Sequence, residues 1–273
     1  MPSSTDHDKE DDDFIKVEPK FKYKTITTSK NKKKRKNKKN IRYEDASEWT
    51  INDMIKQLET YREKLTSTKF YEALKPLISE CLEPRQCQDI VCYGVGSMQD
   101  SIAARYQFIL ILLIRDIIKI KGTISIFDPV MTTLDKEACE HFNVIVIKED
   151  EGCKRTVTTS TLFYMPHCTR IHYSNTISAN WTRELLQNVT IIGNDFDDVY
   201  VTSQPDSVLR RDCPYLVPAS SIIESVPFPD HLFDINNVFN NLAFQHFPLI
   251  KIPQETDVSF WQNVATSIDD DDK

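Results

Sequence analysis

Residues 90–120 read IVCYGVGSMQDSIAARYQFILILLIRDIIKI, and their reading decides the fold. The run Ile90–Tyr93 is apolar, β-branched at its start and stopped by glycine, which predicts a buried strand. Gly94-Val95-Gly96-Ser97 is a tight turn. From about Asp100 to Ile120 the apolar residues Ile102, Tyr106, Ile109, Leu113 and Ile117 recur at three- and four-residue spacing without a proline, which predicts a helix. Strand, glycine turn and buried helix open an α/β domain. The turn lies at the C-terminal end of its strand, where such domains bind ligands.

The same alternation continues along the chain. Strands are predicted at Thr123–Phe127, Val144–Ile147, Thr161–Met165 and Val189–Ile192, with a helix at Thr133–His141 and a short one ending near Gln187. Two further runs, Ile222–Val226 and Val238–Phe244, read as a strand and a final helical or edge segment. The expected architecture is a three-layer, Rossmann-like α/β domain with a mostly parallel sheet.

Before it, Thr50 and Asp53 resemble a capping box, followed by a helical face of Ile51, Met54, Ile55, Leu58, Tyr61 and Leu65. A second helix is expected over Lys69–Leu82, kinked or split by Pro76. This pair is expected to cover one face or edge of the sheet. The organisation is then a tail at 1–42, a helical extension at 43–88, the α/β domain at 89–250 and a C-terminal tail at 251–273.

Charge divides the chain. Its 273 residues carry a net charge of −7, but residues 1–42 hold fourteen Lys/Arg against seven Asp/Glu, +7, which leaves −14 for the rest. Eight of the ten residues Lys30–Lys39 are basic, a run that repels itself and stays solvated. It reads as a nuclear-import or polyanion contact, or as a solubilising tail. The acidic body is a poor nucleic-acid surface. Seven cysteines, an odd number without a C-x-x-C pair, read as reduced thiols of an intracellular protein. The apolar stretch Phe108–Ile114 is too short to span a bilayer, so no membrane association is expected.

Several residues could carry chemistry. Gly94 and Gly96 allow the backbone to approach a ligand, and the N-terminus of the helix that follows would offer free N–H groups to an anion. A dinucleotide fingerprint asks for a third glycine where Gln99 stands. Asp128, at the end of the second strand, either binds ribose hydroxyls or caps the next helix. Together, the glycine turn and Asp128 look like the layout of S-adenosylmethionine-dependent methyltransferases, so S-adenosylmethionine or a nucleotide is the candidate cofactor. His167, Cys168 and His172 lack a second element with zinc spacing, and no metal is assigned. Neighbouring residues of an extended chain face opposite sides, which argues against a Cys168–His nucleophile. Glu149 and Glu151 serve as acid, base or cation ligand, or as a solvated loop. Tyr93, Gly94, Gly96, Ser97, Asp128, Glu151, His167, Asn175, Trp181 and Asn194 form the candidate ligand-binding rim, since they fall near or after strand C-terminal ends that share one edge of a parallel sheet. Trp181 either walls that cleft or joins the core.

Eight stretches, taken in order, carry a resemblance: CYGVGS (92–97), ARYQFILILLI (104–114), FDPV (127–130), EDEG (149–152), FYMPHC (163–168), YSNTISANW (173–181), IIGNDF (191–196) and FNNLAFQHF (239–247). Together they resemble the "sensitivity to red light reduced" (SRR) domain family, in a fungal-type member. The resemblance implies a regulatory protein of cytoplasm and nucleus, acting through a protein partner or small ligand. Members are linked to circadian or light signalling, haem-related regulation and, in fungi, microtubule-related processes. The family's biochemical activity is not established, so no catalytic residue carries over. YSNTISANW departs from the family's usual apolar pair before a serine and tryptophan, which would reshape a pocket there. A non-catalytic regulator is the preferred reading, because no general base with a matched nucleophile is visible. A methyltransferase-like enzyme using the Gly94–Ser97 turn is the alternative.

Overall fold

The Thr50 side chain accepts the Asp53 N–H at 3.3 Å while the Asp53 carboxylate accepts the Thr50 N–H at 2.9 Å, and this reciprocal cap starts α1 (Ile51–Thr66). The computed structural model describes residues 48–262. The tail at 1–42, its Lys30–Lys39 run and the end of the C-terminal tail lie outside them. Thr68 caps α2 (Lys69–Leu82), which runs through Pro76 instead of splitting there. The proline is exposed, so the carbonyl it leaves without an N–H partner faces water. Phe70, Leu74, Ile78 and Leu82 on the other face are fully buried.

Next come β1 (Asp89–Tyr93) and α3 (Ile102–Ile118), capped by Ser101 and stopped by Lys119 in the left-handed conformation at φ 54°. All eleven residues from Ala104 to Ile114 are buried. A helix apolar on every side needs cover on every side. The sheet provides one cover. The α1–α2 pair provides the other, packing chiefly on α3 rather than on the sheet, as an additional layer outside it.

The chain continues through β2 (Ile124–Phe127), α4 (Thr133–His141), β3 (Ile145–Val146), β4 (Thr161–Met165), α5 (Arg170–Ser178), α6 (Arg183–Leu186), β5 (Val189–Asn194), α7 (Asp206–Asp212), α8 (Leu216–Ser220), β6 (Glu224–Pro227) and β7 (Leu242–His246). The seven strands lie in the order β3-β2-β1-β4-β5-β7-β6. The first five run parallel, and β7 is antiparallel to both its neighbours. The segment expected as helical or edge is therefore an inner strand. Its Leu242, Ala243, Phe244 and Gln245 are buried, and exposed β6 takes the edge instead.

Side chains alternate between two cores. Ile90, Cys92, Leu162 and Tyr164 face α1–α4, while Val91, Tyr93, Phe163 and Met165 join residues of α5, α7 and α8. After β1 the chain builds outward through β2 and β3, then returns to place β4 on the other side of β1. This reversal leaves a crevice beyond the C-terminal ends of β1 and β4.

If α3 depends on cover from both layers, truncation on it is costly. Leu112→Ala should lower stability by about 2–5 kcal/mol, read as the urea midpoint at unchanged m-value.

Candidate functional site

Gly94 and Gly96 both have positive φ, +71° and +85°. At Gly94 a Cβ would also lie 2.6 Å from the Cys168 Sγ, so the absent side chain lets the turn pack against the end of β4. The turn does not feed straight into α3. Residues 97–101 intervene, and several of the backbone groups around them are engaged within the protein. The Gly96 N–H donates to Asp128 Oδ2 at 2.8 Å, the Gln99 N–H to Asp135 Oδ1 at 2.9 Å, and the Asp100 N–H to Ser97 Oγ at 3.2 Å. From the other side buried Arg105 donates to the carbonyls of Met98 and Gln99, each at 2.6 Å. The loop is thus clamped by a fully buried carboxylate on α4 and a buried guanidinium on α3.

Asp128 is not the cap of α4, since Thr132 and Asp135 form that helix's capping box. Its second oxygen accepts the Val130 N–H at 3.0 Å. The carboxylate therefore fastens the glycine turn to the end of β2 and keeps lone pairs for a further donor.

Beyond the crevice lies a pocket of about 300 Å³, at the small end of the roughly 300–1,000 Å³ typical of ligand sites. Tyr93 and Gly94 come to it from β1, Phe127–Pro129 from β2, and His167–Thr169 from β4, with Asp150, Cys153 and His172 closing the wall. His167, at φ 57°, shares a contact of 3.1 Å between Nε2 and the Val238 carbonyl. When Nε2 donates there, a neutral ring leaves Nδ1 as an acceptor. Burial pushes the Cys168 thiol well up, and burial with Asp150 and Glu151 raises Cys153 to about 12. Both sulfurs are held as thiols rather than thiolates.

Behind this wall the Tyr93 hydroxyl donates to Glu151, which pairs with Arg155 at 2.6 Å, and Arg155 reaches Ser125 Oγ at 2.9 Å. Burial works to raise the Glu151 carboxyl, but the hydrogen bonds from Arg155 and Tyr93 outweigh it and hold it below the usual carboxylate range. Burial, reinforced by Glu151, raises the Tyr93 hydroxyl. The loop is tied to α5 and the turn that follows it: Asn175 Nδ2 donates to the Gly152 carbonyl at 2.8 Å, Thr176 Oγ1 to that of Cys153 at 3.0 Å, and Asn180, just past the helix, accepts the Val157 N–H at 2.9 Å.

Of the rim residues read from sequence, Tyr93, Gly94, Asp128 and His167 line the pocket. Gly96 and Ser97 belong to the clamped loop, Glu151 stands behind Tyr93, and Asn175 anchors the wall. Asn194 sits in a separate cluster. Its N–H donates to the Tyr173 hydroxyl at 2.8 Å, and that hydroxyl donates to the Met165 carbonyl at 2.5 Å. Trp181 leaves the rim altogether. The stretch 172–181 is mostly helix α5, which carries the chain back to the start of β5, so Trp181 lies at the opposite end of the sheet. There it packs with Tyr215, Phe260 and Trp261 at 5.2–5.3 Å.

Sequence reasoning missed Asp150, Cys153 and Thr169 in the pocket, and the clamp made by Arg105 and Asp135. Two signals pointed to the clamp. Arg105 is a charge inside an apolar helix, and Thr132-x-x-Asp135 repeats the cap pattern of Thr50 and Asp53.

The SRR1 domain family model matches residues 54–246, a stretch that takes in most of α1 and all of α2. An SRR1-like protein of Drosophila melanogaster is 30% identical over 199 residues, covering 71% of this chain and 67% of its own. Protein SENSITIVITY TO RED LIGHT REDUCED 1 of Arabidopsis thaliana is 31% identical over 150 residues, 51% of this chain and 54% of its own. The chain thus spans about two thirds of the fly relative and about half of the plant one. Among solved structures, the SAH-bound methyltransferase PaMTH1 of Podospora anserina is similar at a TM-score of 0.38 and 14% identity, over 71% of this chain and 87% of that one. A likeness at that level carries no argument about chemistry. Among the described residues no helix is long and apolar enough to cross a membrane.

Two outcomes follow from the geometry. Gly94→Ala should cost about 1–3 kcal/mol through strain and overpacking, and Cys168→Ala should recover part of it, so that denaturant titrations of the double variant fall short of the summed single losses. Glu151, depressed when folded, contributes stability above the unfolded carboxylate range near ~4.3 and loses it as pH falls through its lower folded value. The gap in urea midpoint between the native chain and Glu151→Gln should therefore hold from pH 7 to 5 and close below pH 4.

Proposed function

Because the chain belongs to the SRR1 domain family, we propose that it is a regulatory protein whose output is set by a small ligand in the pocket beyond β1, β2 and β4. The observation that carries this reading is the convergence of three strand ends on one cavity where the strand order reverses. A regulatory role suits the chemistry of the walls, where the Cys153 and Cys168 thiols are held protonated and the Tyr93 hydroxyl is engaged by Glu151. The Arabidopsis relative's name concerns red-light sensitivity, and light-linked or circadian signalling is the process we carry over to this chain. Haem-related regulation, microtubule-related processes, residence in cytoplasm and nucleus, and a protein partner belong to the same reading.

One observation favours a second reading. Asp128 at the end of β2 borders the pocket with free lone pairs, beside a glycine turn. That combination suits an enzyme binding S-adenosylmethionine or a nucleotide, methyltransferase-like in its layout.

The test is thermal unfolding of the full chain with S-adenosylmethionine, S-adenosylhomocysteine, NAD(P), ATP and haem. A ligand at 100 times its Kd adds about 2.7 kcal/mol, a rise of roughly 5–10 °C in Tm for a domain of this size. We expect at least one such rise, and we expect the pocket-filling variant His172→Trp to abolish it while remaining folded. A rise that survives His172→Trp would put the ligand elsewhere and sink the proposal. Transfer of a methyl group to an acceptor would replace the regulatory reading with the enzymatic one.

A further inference from the structure

The ligand class can be narrowed by asking what the pocket offers to charge. Phosphates bound at glycine turns rely on free backbone N–H groups and on Lys or Arg. Here the Gly96, Gln99 and Asp100 N–H groups are already donated to Asp128, Asp135 and Ser97. Among the described residues that line the pocket there is no Lys or Arg, while Asp128 and Asp150 both present carboxylates. Asp128 keeps one lone pair on each oxygen beyond its two N–H partners, and Asp150 spends Oδ1 on the Gly152 N–H at 2.8 Å.

One feature pulls the other way. The first turn of α5 reaches the pocket through Thr169 and His172, and Thr169 makes no side-chain cap. A helix N-terminus is worth about half a positive charge, against two whole negative ones from the carboxylates. The balance is negative. A nucleoside triphosphate would bring several more negative charges against that balance, whereas a cation would be drawn in. The Phe127, Pro129 and Tyr93 side chains supply apolar surface for the remainder of the molecule.

We infer that the pocket selects a phosphate-free ligand that carries a positive charge and hydrogen-bond donors, and excludes nucleoside phosphates. This rests on the pocket being the ligand site proposed above. It separates the two cofactor candidates read from the sequence, favouring a sulfonium nucleoside over a nucleotide.

The experiment is calorimetric titration of the full chain at pH 8, where an ordinary imidazole is neutral. Its probes are S-adenosylmethionine, its uncharged-sulfur counterpart S-adenosylhomocysteine, and ATP. S-adenosylmethionine should bind roughly tenfold or more tighter than S-adenosylhomocysteine, equivalent to about 1.4 kcal/mol, and ATP should not bind. Asp150→Asn, which leaves the Asp128 anchor of the glycine turn in place, should shrink that preference several-fold without lowering Tm. His172→Trp should block binding. ATP binding that His172→Trp blocks would overturn the charge selection and leave the pocket reading standing, and so would equal affinity for the two sulfur compounds. Binding of none of the three, or binding indifferent to His172→Trp, would remove both.

Discussion

A helix that is apolar all round has no face to give to water, and α3 imposes that constraint on everything near it. Its buried run from Ala104 to Ile114 requires the sheet beneath and the α1–α2 pair above. The N-terminal helices are therefore part of the core by necessity. Inside this dry layer sits Arg105, 4% exposed, and a guanidinium there is costly unless its donors are used. They are used on the Met98 and Gln99 carbonyls, with the charge also lying 4.5 Å from the Trp49 ring. The price of burying the charge is a fixed loop.

That loop explains where the pocket lies. In a fold opening with a glycine turn, the free N–H groups after the first strand are the usual anion cradle. Here Asp135 and Arg105 take both faces of the Gln99 peptide region, and Asp128 takes the Gly96 N–H. The turn has become scaffold. The open volume moves sideways, over the gap between β2, β1 and β4, where the loop ends leave space.

The fold was legible because its signals are local. The cap at Thr50, the short apolar strand runs and the long apolar helix each announce themselves within a few residues. What failed to show depends on partners far along the chain. The segment 238–244 has the composition of an edge element, yet its place inside the sheet depends on pairing with β5, nearly fifty residues earlier. Trp181 was grouped with the rim because the preceding polar residues lack a clear helical stripe, and a nine-residue helix there carries the chain back toward the start of β5. The pocket was half legible. Strand ends located Tyr93, Gly94, Asp128 and His167, while Asp150 and Cys153 arrive on a loop whose course is set by hydrogen bonds that the Asn175 and Thr176 side chains donate to its carbonyls.

Those same bonds bear on what the pocket is suited to do. Asn175, Thr176 and Asn180 fix the 152–157 segment to α5 and the turn after it, and Glu151 locks Tyr93 to Arg155, so the walls are organised before a ligand arrives. Preorganisation removes ordering cost from binding and favours affinity in a small cavity. It also fixes charge. Cys153, Cys168 and Tyr93 are shifted upward and Glu151 downward, each deeper into the form it already holds at neutral pH. General acid–base catalysis asks for the opposite, a group brought toward the working pH. Rigid walls that hold these four groups in one form are better matched to holding a molecule than to passing protons through them, and this physical bias is what inclines the proposed function toward regulation.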